Sequence, residues 1–258
     1  MKAGYIQKLT FAERWFRDGL LECGLAGSTV SVEADVSRSA ELLQTLRAEG
    51  RSVKWTTLFV KAAAVALHRN PELSQLVAGN SRLLPDTIDI CLSVSSEQAV
   101  TPVIVLQDCA RRDLDWVAAE IIRLTPISQE SDKKMVLLLN RWGFLGFTAG
   151  IRRALIGFLL RRVWYRRKVS GTFQVTCLPG VDSCSPFRFN TSAVLGIGQV
   201  KQRPIVVEGA LAIRPTVMLT CCIDHAVWNG ADTSRFLNAV KSILELADYS
   251  SGAELPIR

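Results

Sequence analysis

The chain has 258 residues, of which 48% are hydrophobic and 21% charged. That length suits one sizeable core and exceeds what a small disulfide-stapled scaffold needs. Seven cysteines without a Cys-x-x-Cys pair argue against a zinc ribbon and indicate reduced thiols. Charges interrupt residues 1–20 every few positions, so this stretch lacks the apolar core of a secretory signal, and we expect a cytoplasmic protein.

The net charge of +7 is concentrated in one part of the chain. Residues 133–168, called the basic segment below, hold ten basic residues and no acidic one, so the remainder carries 7 minus 10, or −3. A slightly acidic remainder argues against nucleic-acid binding. The longest uncharged run of the segment is ten residues, whereas about 20 are needed to span a bilayer, so no transmembrane helix is predicted.

The first half of the chain mixes strand and helix patterns. The predicted elements are a strand at 28–37, helices at 37–50 and 56–73, strands at 87–97 and 99–108, and a helix at 113–126. Gly50 is expected to end the first helix, and a threonine cap to start the second, which stops near Pro71. Pro126 is expected to end the third. Residues 130–134 are interpreted as a solvated turn.

The second half is dominated by strands. The predicted elements after the basic segment are strands within 171–178, 193–200 and 203–227, and a helix at 231–248. Glu208-Gly209, between two β-branched runs, indicates a hairpin. Helices and strands alternate without a strict βαβ rhythm, which favours an α/β two-layer sandwich with a mixed sheet and flanking helices. We expect one domain over 1–258, with a basic apolar insertion at about 130–168.

The basic segment interleaves arginines with aromatic residues, among them Trp142, Phe158 and Trp164. One interpretation is a buried hairpin whose arginines extend to solvent. The other is a docking surface for a membrane or an acidic partner such as an acyl carrier protein, which leaves a membrane-peripheral location open.

The two histidines are the natural candidates for a general base at neutral pH. His68 lies on a predicted helix beside Arg69, where a solvated surface role is favoured. His225 stands at the end of a predicted strand and is followed at 229–230 by Asn-Gly. From composition alone, a hydrogen-bonded histidine at a strand end is the favoured interpretation of His225.

Two short motifs carry weaker signals. Residues 195–198 read Leu-Gly-Ile-Gly, but Lys201 occupies the position where a dinucleotide loop has its third glycine. Adjacent Cys221 and Cys222 point to opposite faces of a predicted strand, so they cannot chelate one metal ion together. Core filling is the preferred interpretation, and no metal is expected.

Residues 223–232, Ile-Asp-His-Ala-Val-Trp-Asn-Gly-Ala-Asp, resemble the His-x-x-x-Asp-Gly signature of a known family. It is the catalytic domain of the 2-oxo acid dehydrogenase dihydrolipoamide acyltransferases, which are related to chloramphenicol acetyltransferase. Similar motifs occur at 34–37, 101–104, 171–176 and 194–198. The resemblance covers nearly the whole chain apart from about 128–168. It implies the chloramphenicol acetyltransferase-like fold.

The resemblance also implies an activity and its residues. An acyl group would move from a thioester donor, acyl-coenzyme A or an acyl carrier protein, to a thiol, hydroxyl or amine acceptor. His225 would be the general base, the Thr176 hydroxyl would stabilise the oxyanion, and the Asn229 amide would fix the imidazole. Coenzyme A or the carrier protein is the implied co-substrate, with no metal and no lipoyl group on this chain. The implied assembly is a homotrimer in which His225 of one subunit faces Thr176 of the next.

Four positions depart from the family pattern, one of them Ala226, which stands where the dehydrogenase branch has arginine. Asn229 stands where aspartate is usual, Thr176 replaces serine but keeps the hydroxyl, and Pro179 replaces glycine. No segment resembles a lipoyl or subunit-binding domain, so a free-standing transferase is expected. The alternative is a catalytically silent relative that serves as an acyl-binding module or scaffold. Retention of both His225 and a hydroxyl at Thr176 favours the enzyme.

Overall fold

The computed structural model describes residues 5–8, 27–95, 102–142, 149–188 and 190–250. The first half contains β1 (Tyr5–Lys8), β2 (Gly27–Asp35), α1 (Ser37–Ala48), α2 (Trp55–Arg69), a 3-10 turn (Pro71–Ser74), β3 (Leu76–Ala78), β4 (Ser81–Leu84), β5 (Ile90–Ser93) and β6 (Val103–Leu106). The second half contains α3 (Leu114–Trp142), α4 (Ala149–Leu160), α5 (Val163–Ser170), β7 (Phe173–Cys177), β8 (Ala193–Ile197), β9 (Lys201–Val207), β10 (Ala210–Asp224) and α6 (Gly230–Leu246).

A mixed sheet of seven strands forms the centre of the described fold. Its order is β2-β10-β8-β7-β5-β6, and β9 pairs with β10. The β5–β7 and β7–β8 pairs are parallel, while the other pairs are antiparallel. A small antiparallel sheet of order β1-β4-β3 stands apart. The predicted mixed sheet is therefore confirmed.

Helices α1, α2 and α6 pack on one face of the central sheet and enclose the core. Helix α2 is buried over 57–67 because its alanines and valines allow the helix to lie close to its neighbours. Phe173 and Val175 of β7 point into this core, as do Leu195 and Ile197 of β8. The core lies between one sheet and one helical layer, so the predicted two-layer sandwich is confirmed.

The β9–β10 hairpin confirms the turn expected at Glu208-Gly209. Both residues have positive φ, 50° and 81°, as a two-residue hairpin turn requires, and glycine adopts that conformation readily. Residues 207 and 210 pair directly across it. The hairpin carries an apolar surface toward solvent, since Val206, Leu211 and Ile213 are each at least 72% exposed.

The predicted start of α2 needs one correction. Helix α2 begins at Trp55 with Lys54 as its N-cap, so no threonine occupies the cap position. Thr57 instead lies at the third helical position, where its hydroxyl oxygen accepts a hydrogen bond from the Lys54 backbone N–H at 3.4 Å. This is the reciprocal half of a capping box, which places the hydroxyl inside the first turn.

The prediction that Pro126 ends a helix is wrong. Helix α3 continues through Pro126 to Trp142, so residues 130–134 are helical rather than a turn. Contacts with neighbouring segments hold the continuation in place. The Ser128 hydroxyl donates to the Val103 carbonyl, and the Gln129 amide donates to the Ser95 carbonyl, each at 2.9 Å. Such tertiary contacts offset the cost of a proline in a helix, roughly 3 kcal/mol.

The basic segment forms the end of α3 together with α4 and most of α5. No helix in the described ranges is both long and apolar enough to cross a membrane. The buried-hairpin interpretation is wrong for the side chains that the structure places, because Leu155, Phe158 and Trp164 are 57% to 60% exposed. A docking role for this surface stays a prediction.

Candidate functional site

His225 lies in the turn that follows β10, and Asp224 anchors that turn. The Asp224 backbone N–H donates to the Ser192 carbonyl, and its carbonyl accepts from the N–H groups of Val227 and Trp228. Its carboxylate accepts from the Ala226 N–H and pairs with the Arg188 guanidinium, each at 3.1 Å. These bonds fix the backbone on either side of His225, so the imidazole is attached to a rigid segment of chain.

An aromatic cluster supports the same turn from the core side. Trp228, Phe173 and Phe236 are at most 1% exposed, with ring centroids 5.0 to 6.1 Å apart. The three residues come from the turn, from β7 and from α6. Because each ring fills space against the other two, the turn cannot shift without opening a cavity in the core.

The imidazole of His225 is half-buried. Its Nδ1 is buried and has no hydrogen-bond partner within the described residues. A buried nitrogen without a partner is unfavourable, so we expect a group beyond the described residues to complete the site.

Asn229 is the N-cap of α6. Its side-chain oxygen accepts from the Asp232 N–H at 2.9 Å, and an Asp232 carboxylate oxygen accepts from the Asn229 N–H at 3.2 Å. The Asn-Gly pair thus begins a helix rather than a tight turn. The expected hydrogen bond from the Asn229 amide to His225 is absent among the described residues. Asn229, four residues after the histidine, instead caps α6, which begins at Gly230.

Thr176 lies near the carboxyl end of β7, on the face opposite the helical core. Side chains alternate along a strand, so Phe173 and Val175 face the helices while Gln174 and Thr176 face the other way. The Thr176 hydroxyl lies 3.1 Å from the Ser93 hydroxyl of β5, and either can donate. Sequence reasoning did not identify Ser93; the available signal was a polar residue closing the apolar strand at 90–93.

Thr176 and His225 do not meet within one chain. Thr176 aligns with Gly196 of β8, which aligns with Thr220 of β10. Asp224 ends β10 four residues beyond Thr220, which is about 13 Å along the strand, and two strand spacings add about 10 Å across it. Threonine and histidine side chains cannot span this separation.

The two glycines of residues 195–198 have a packing role. A side chain at Gly196 would collide with the Cys184 carbonyl and the Pro186 ring, and one at Gly198 with the Asp182 backbone. These positions let residues 181–186 cross the sheet closely on the Thr176 face. The motif is thus explained by close backbone approach rather than by nucleotide binding.

The cysteines beside the site are poor nucleophiles at neutral pH. Burial raises the pKa of the Cys177 thiol to about 12, with nearby Cys184 as a smaller cause. Burial likewise raises the pKa of Cys91 and Cys109 to about 12. The thiolate is the reactive form, so these residues do not supply one at pH 7. No group of three or more metal-ligating residues occurs within the described ranges.

One comparison assigns the chain to a family. The family described as 2-oxoacid dehydrogenases acyltransferase (catalytic domain) matches residues 23–134 and 171–250. The chain belongs to this family. The match leaves 135–170 uncovered, which is most of the basic segment. The lipoamide acyltransferase component of the Bacillus subtilis branched-chain alpha-keto acid dehydrogenase complex is 26% identical over 206 residues, 78% of this chain and 41% of that protein.

A Haemophilus influenzae relative gives the same coverage pattern. This dihydrolipoyllysine-residue succinyltransferase component of the 2-oxoglutarate dehydrogenase complex is 26% identical over 190 residues, 73% of this chain and 39% of the relative. The chain thus spans about two fifths of the length of these curated relatives.

Solved structures show the same fold. A probable dihydrolipoamide acetyltransferase from Listeria monocytogenes superposes with a TM-score of 0.66 at 18% identity, covering 96% of this chain and 97% of that one. An Azotobacter vinelandii dihydrolipoamide acetyltransferase, studied for the catalytic roles of a serine, a histidine and an asparagine, gives 0.66 at 18% identity over 93% and 90%. Chloramphenicol acetyltransferase gives 0.53 at 16% identity over 93% and 100%. The expected fold is confirmed.

Proposed function

We propose that this protein is an acyltransferase that moves an acyl group from a thioester to a thiol, with His225 as general base and Thr176 as oxyanion donor. The observation that carries the proposal is the anchored turn of His225, which holds the half-buried imidazole on a rigid support. Family membership supports the reaction class. The Azotobacter vinelandii study adds support, because its histidine and asparagine are four positions apart, as are His225 and Asn229.

The proposed reaction uses His225 to carry one proton. Nε2 takes the proton of the incoming thiol as its sulfur attacks the thioester carbonyl carbon. The carbonyl oxygen becomes an oxyanion, to which the Thr176 hydroxyl donates while the Ser93 hydroxyl donates to Thr176. When the intermediate collapses, the bond to the original sulfur breaks, and the departing thiolate takes the proton back from His225. Atoms and charge balance, and no acyl-cysteine forms.

Relatives indicate which thiols are used. Their names describe acyl transfer involving lipoamide or dihydrolipoyllysine residues. We therefore assign a dithiol arm of this kind as one co-substrate and coenzyme A as the other. This narrows the acceptor expected from sequence from a thiol, hydroxyl or amine to a thiol. An acyl carrier protein remains the alternative thioester carrier.

We further propose a trimer with sites shared between subunits. The separation of Thr176 from His225 within one chain requires that the two side chains meet across an interface. The Nδ1 of His225, which has no partner among the described residues, fits a site that a neighbouring subunit completes. The apolar surface of the β9–β10 hairpin at Val206, Leu211 and Ile213 fits burial against another subunit, since isolated apolar surface of this kind is unfavourable in water.

Acyl transfer and subunit complementation test the proposal. Purified protein is incubated with acetyl-, isobutyryl- and dodecanoyl-coenzyme A and dihydrolipoamide, and S-acyl dihydrolipoamide is identified by mass. His225→Ala and Thr176→Val chains, each nearly inactive alone, should regain part of the activity when co-assembled, because some interfaces then pair an intact histidine with an intact threonine.

Two results would contradict the proposal. Failure to transfer any of these acyl groups would favour the silent scaffold. Mixed trimers of confirmed mass that recover no turnover would exclude a shared site. Trimers of His225→Ala chains alone are the matched control, since none of their interfaces is intact.

A further inference from the structure

A large cavity opens beside Thr176 on the sheet face opposite the helical core. Its volume is about 1350 Å³, and most of its described lining is apolar. Ligand pockets usually occupy roughly 300 to 1,000 Å³, so this cavity is larger than most. Its floor includes Ser93, Gln174, Thr176 and Cys177, which are residues of β5 and β7. The cavity is therefore continuous with the position proposed for the thioester carbonyl.

One wall of the cavity is a single face of α3. The lining residues of this helix are Leu124, Ile127, Ser128, Ser131, Asp132 and Met135. Their spacing of three or four residues places them on one side of a helix. The wall exists because α3 continues beyond Pro126; a helix that ended there would supply only Leu124.

The opposite wall comes from the part of the chain that the family match does not cover. Ile156, Leu159 and Leu160 of α4 line the cavity, as do Tyr165 and Val169 of α5. All five fall within 135–170. Ile156 is 55% exposed, so an apolar surface faces the open cavity. The insertion thus adds an apolar wall next to the proposed catalytic threonine.

We propose that this cavity holds the long apolar chain of an acyl thioester, with its carbonyl at Thr176 and the residues of α4 along its tail. The inference rests on the proposed function and names its substrate class. An acetyl group has two carbons and would leave nearly all of the cavity unfilled. A long chain would instead cover the exposed apolar wall, which stabilises the complex with each methylene buried.

Two buried polar atoms in the lining fit the same ligand. Asp132 is 5% exposed, and one of its carboxylate oxygens has no hydrogen-bond partner in the described ranges. The side-chain nitrogen of Asn190 is also buried without one. One atom accepts and the other donates, so a ligand that meets both must offer a donor and an acceptor. The amides in the arm that carries an acyl thioester on coenzyme A offer both.

Ligand binding without turnover tests the inference. Dodecanoyl-coenzyme A and acetyl-coenzyme A are titrated calorimetrically into the His225→Ala protein, whose assembly is first checked by mass. We expect dodecanoyl-coenzyme A to bind at least about tenfold more tightly, because the added methylenes become buried. Leu159→Trp should remove most of that preference by filling the cavity. Leu155→Trp is the control: it lies one turn earlier on α4, is 60% exposed and does not line the cavity.

The outcomes separate the inference from the proposed function. Equal binding of the two thioesters, or equal effects of Leu159→Trp and Leu155→Trp, would overturn the inference even if transfer is observed. Tight chain-length-dependent binding without transfer by the unaltered protein would contradict the function and retain the inference. If Leu159→Trp no longer forms the trimer that Leu155→Trp still forms, and the chain-length preference is unchanged, the cavity is a subunit interface and the inference is overturned. A second filling variant, Ile156→Trp, replaces Leu159→Trp if the latter does not fold.

Discussion

The turn that carries His225 and the helical wall of the cavity are built in opposite ways. The turn is held by the Asp224–Arg188 ion pair and by aromatic rings with at most 1% exposure, and it lies within the family match. The wall formed by α4 lies outside that match, and its Ile156 side chain is 55% exposed while Leu159 and Leu160 are half-buried. We infer that tight packing holds the reacting groups while the insertion selects the acyl chain, so changes in the two regions should affect different measurements.

The largest effect should follow from replacing the base itself. His225→Ala should lower kcat by about 10² to 10⁴, the usual range for a lost general base, with little change in the thermal unfolding midpoint. His68→Ala is the matched control, because His68 is a half-buried histidine at the end of α2 that takes no part in the proposed reaction. Burial, followed by nearby Arg111, lowers the pKa of His68. Full activity of the His225→Ala protein would contradict the role of His225 as general base.

A smaller effect should follow from removing the hydroxyl behind Thr176. Ser93→Ala should reduce kcat by about fivefold, because a neutral hydrogen bond contributes about 1 kcal/mol and orients the threonine proton toward the oxyanion. KM should change little, since Ser93 is proposed to act through Thr176 in the transition state. Ser93→Thr should restore most of kcat, which distinguishes a positioning role from loss of packing. A KM effect without a kcat effect would assign Ser93 to the cavity instead.

The proposed catalytic residues were identified through contiguous motifs that resemble those of a known family. His225 stands where an apolar run stops, but that position alone favoured a structural histidine, and the motif at 223–232 made it a candidate. Thr176 was identified from the motif at 171–176 alone. Such motifs do not depend on knowing which strands pair. The hairpin at Glu208-Gly209 was predictable for the same reason, since two adjacent residues determine its geometry.

The cavity could not be predicted because it depends on contacts between distant parts of the chain. Ser93 and Thr176 are 83 positions apart and meet only because β5 and β7 pair in parallel. Local sequence rules predict that α3 ends at Pro126. The helix continues because Ser128 and Gln129 donate hydrogen bonds to carbonyls that are distant in sequence. The capping role of Asn229 could not be predicted either, because it depends on where α6 begins.

The smallest effect should come from the thiol nearest to Thr176. Cys177→Ser should leave kcat within about twofold, because burial raises the pKa of Cys177 to about 12 and keeps the thiol protonated at neutral pH. Iodoacetamide at pH 8 should accordingly modify Cys177 slowly in the folded protein, as measured by peptide mass. Because folding raises the pKa of Cys177, this thiol contributes stability to the folded state below the unfolded pKa near 9. That contribution is lost as the pH rises toward about 12. Rapid alkylation with loss of transfer would instead indicate an acyl-cysteine and contradict direct transfer between thiols.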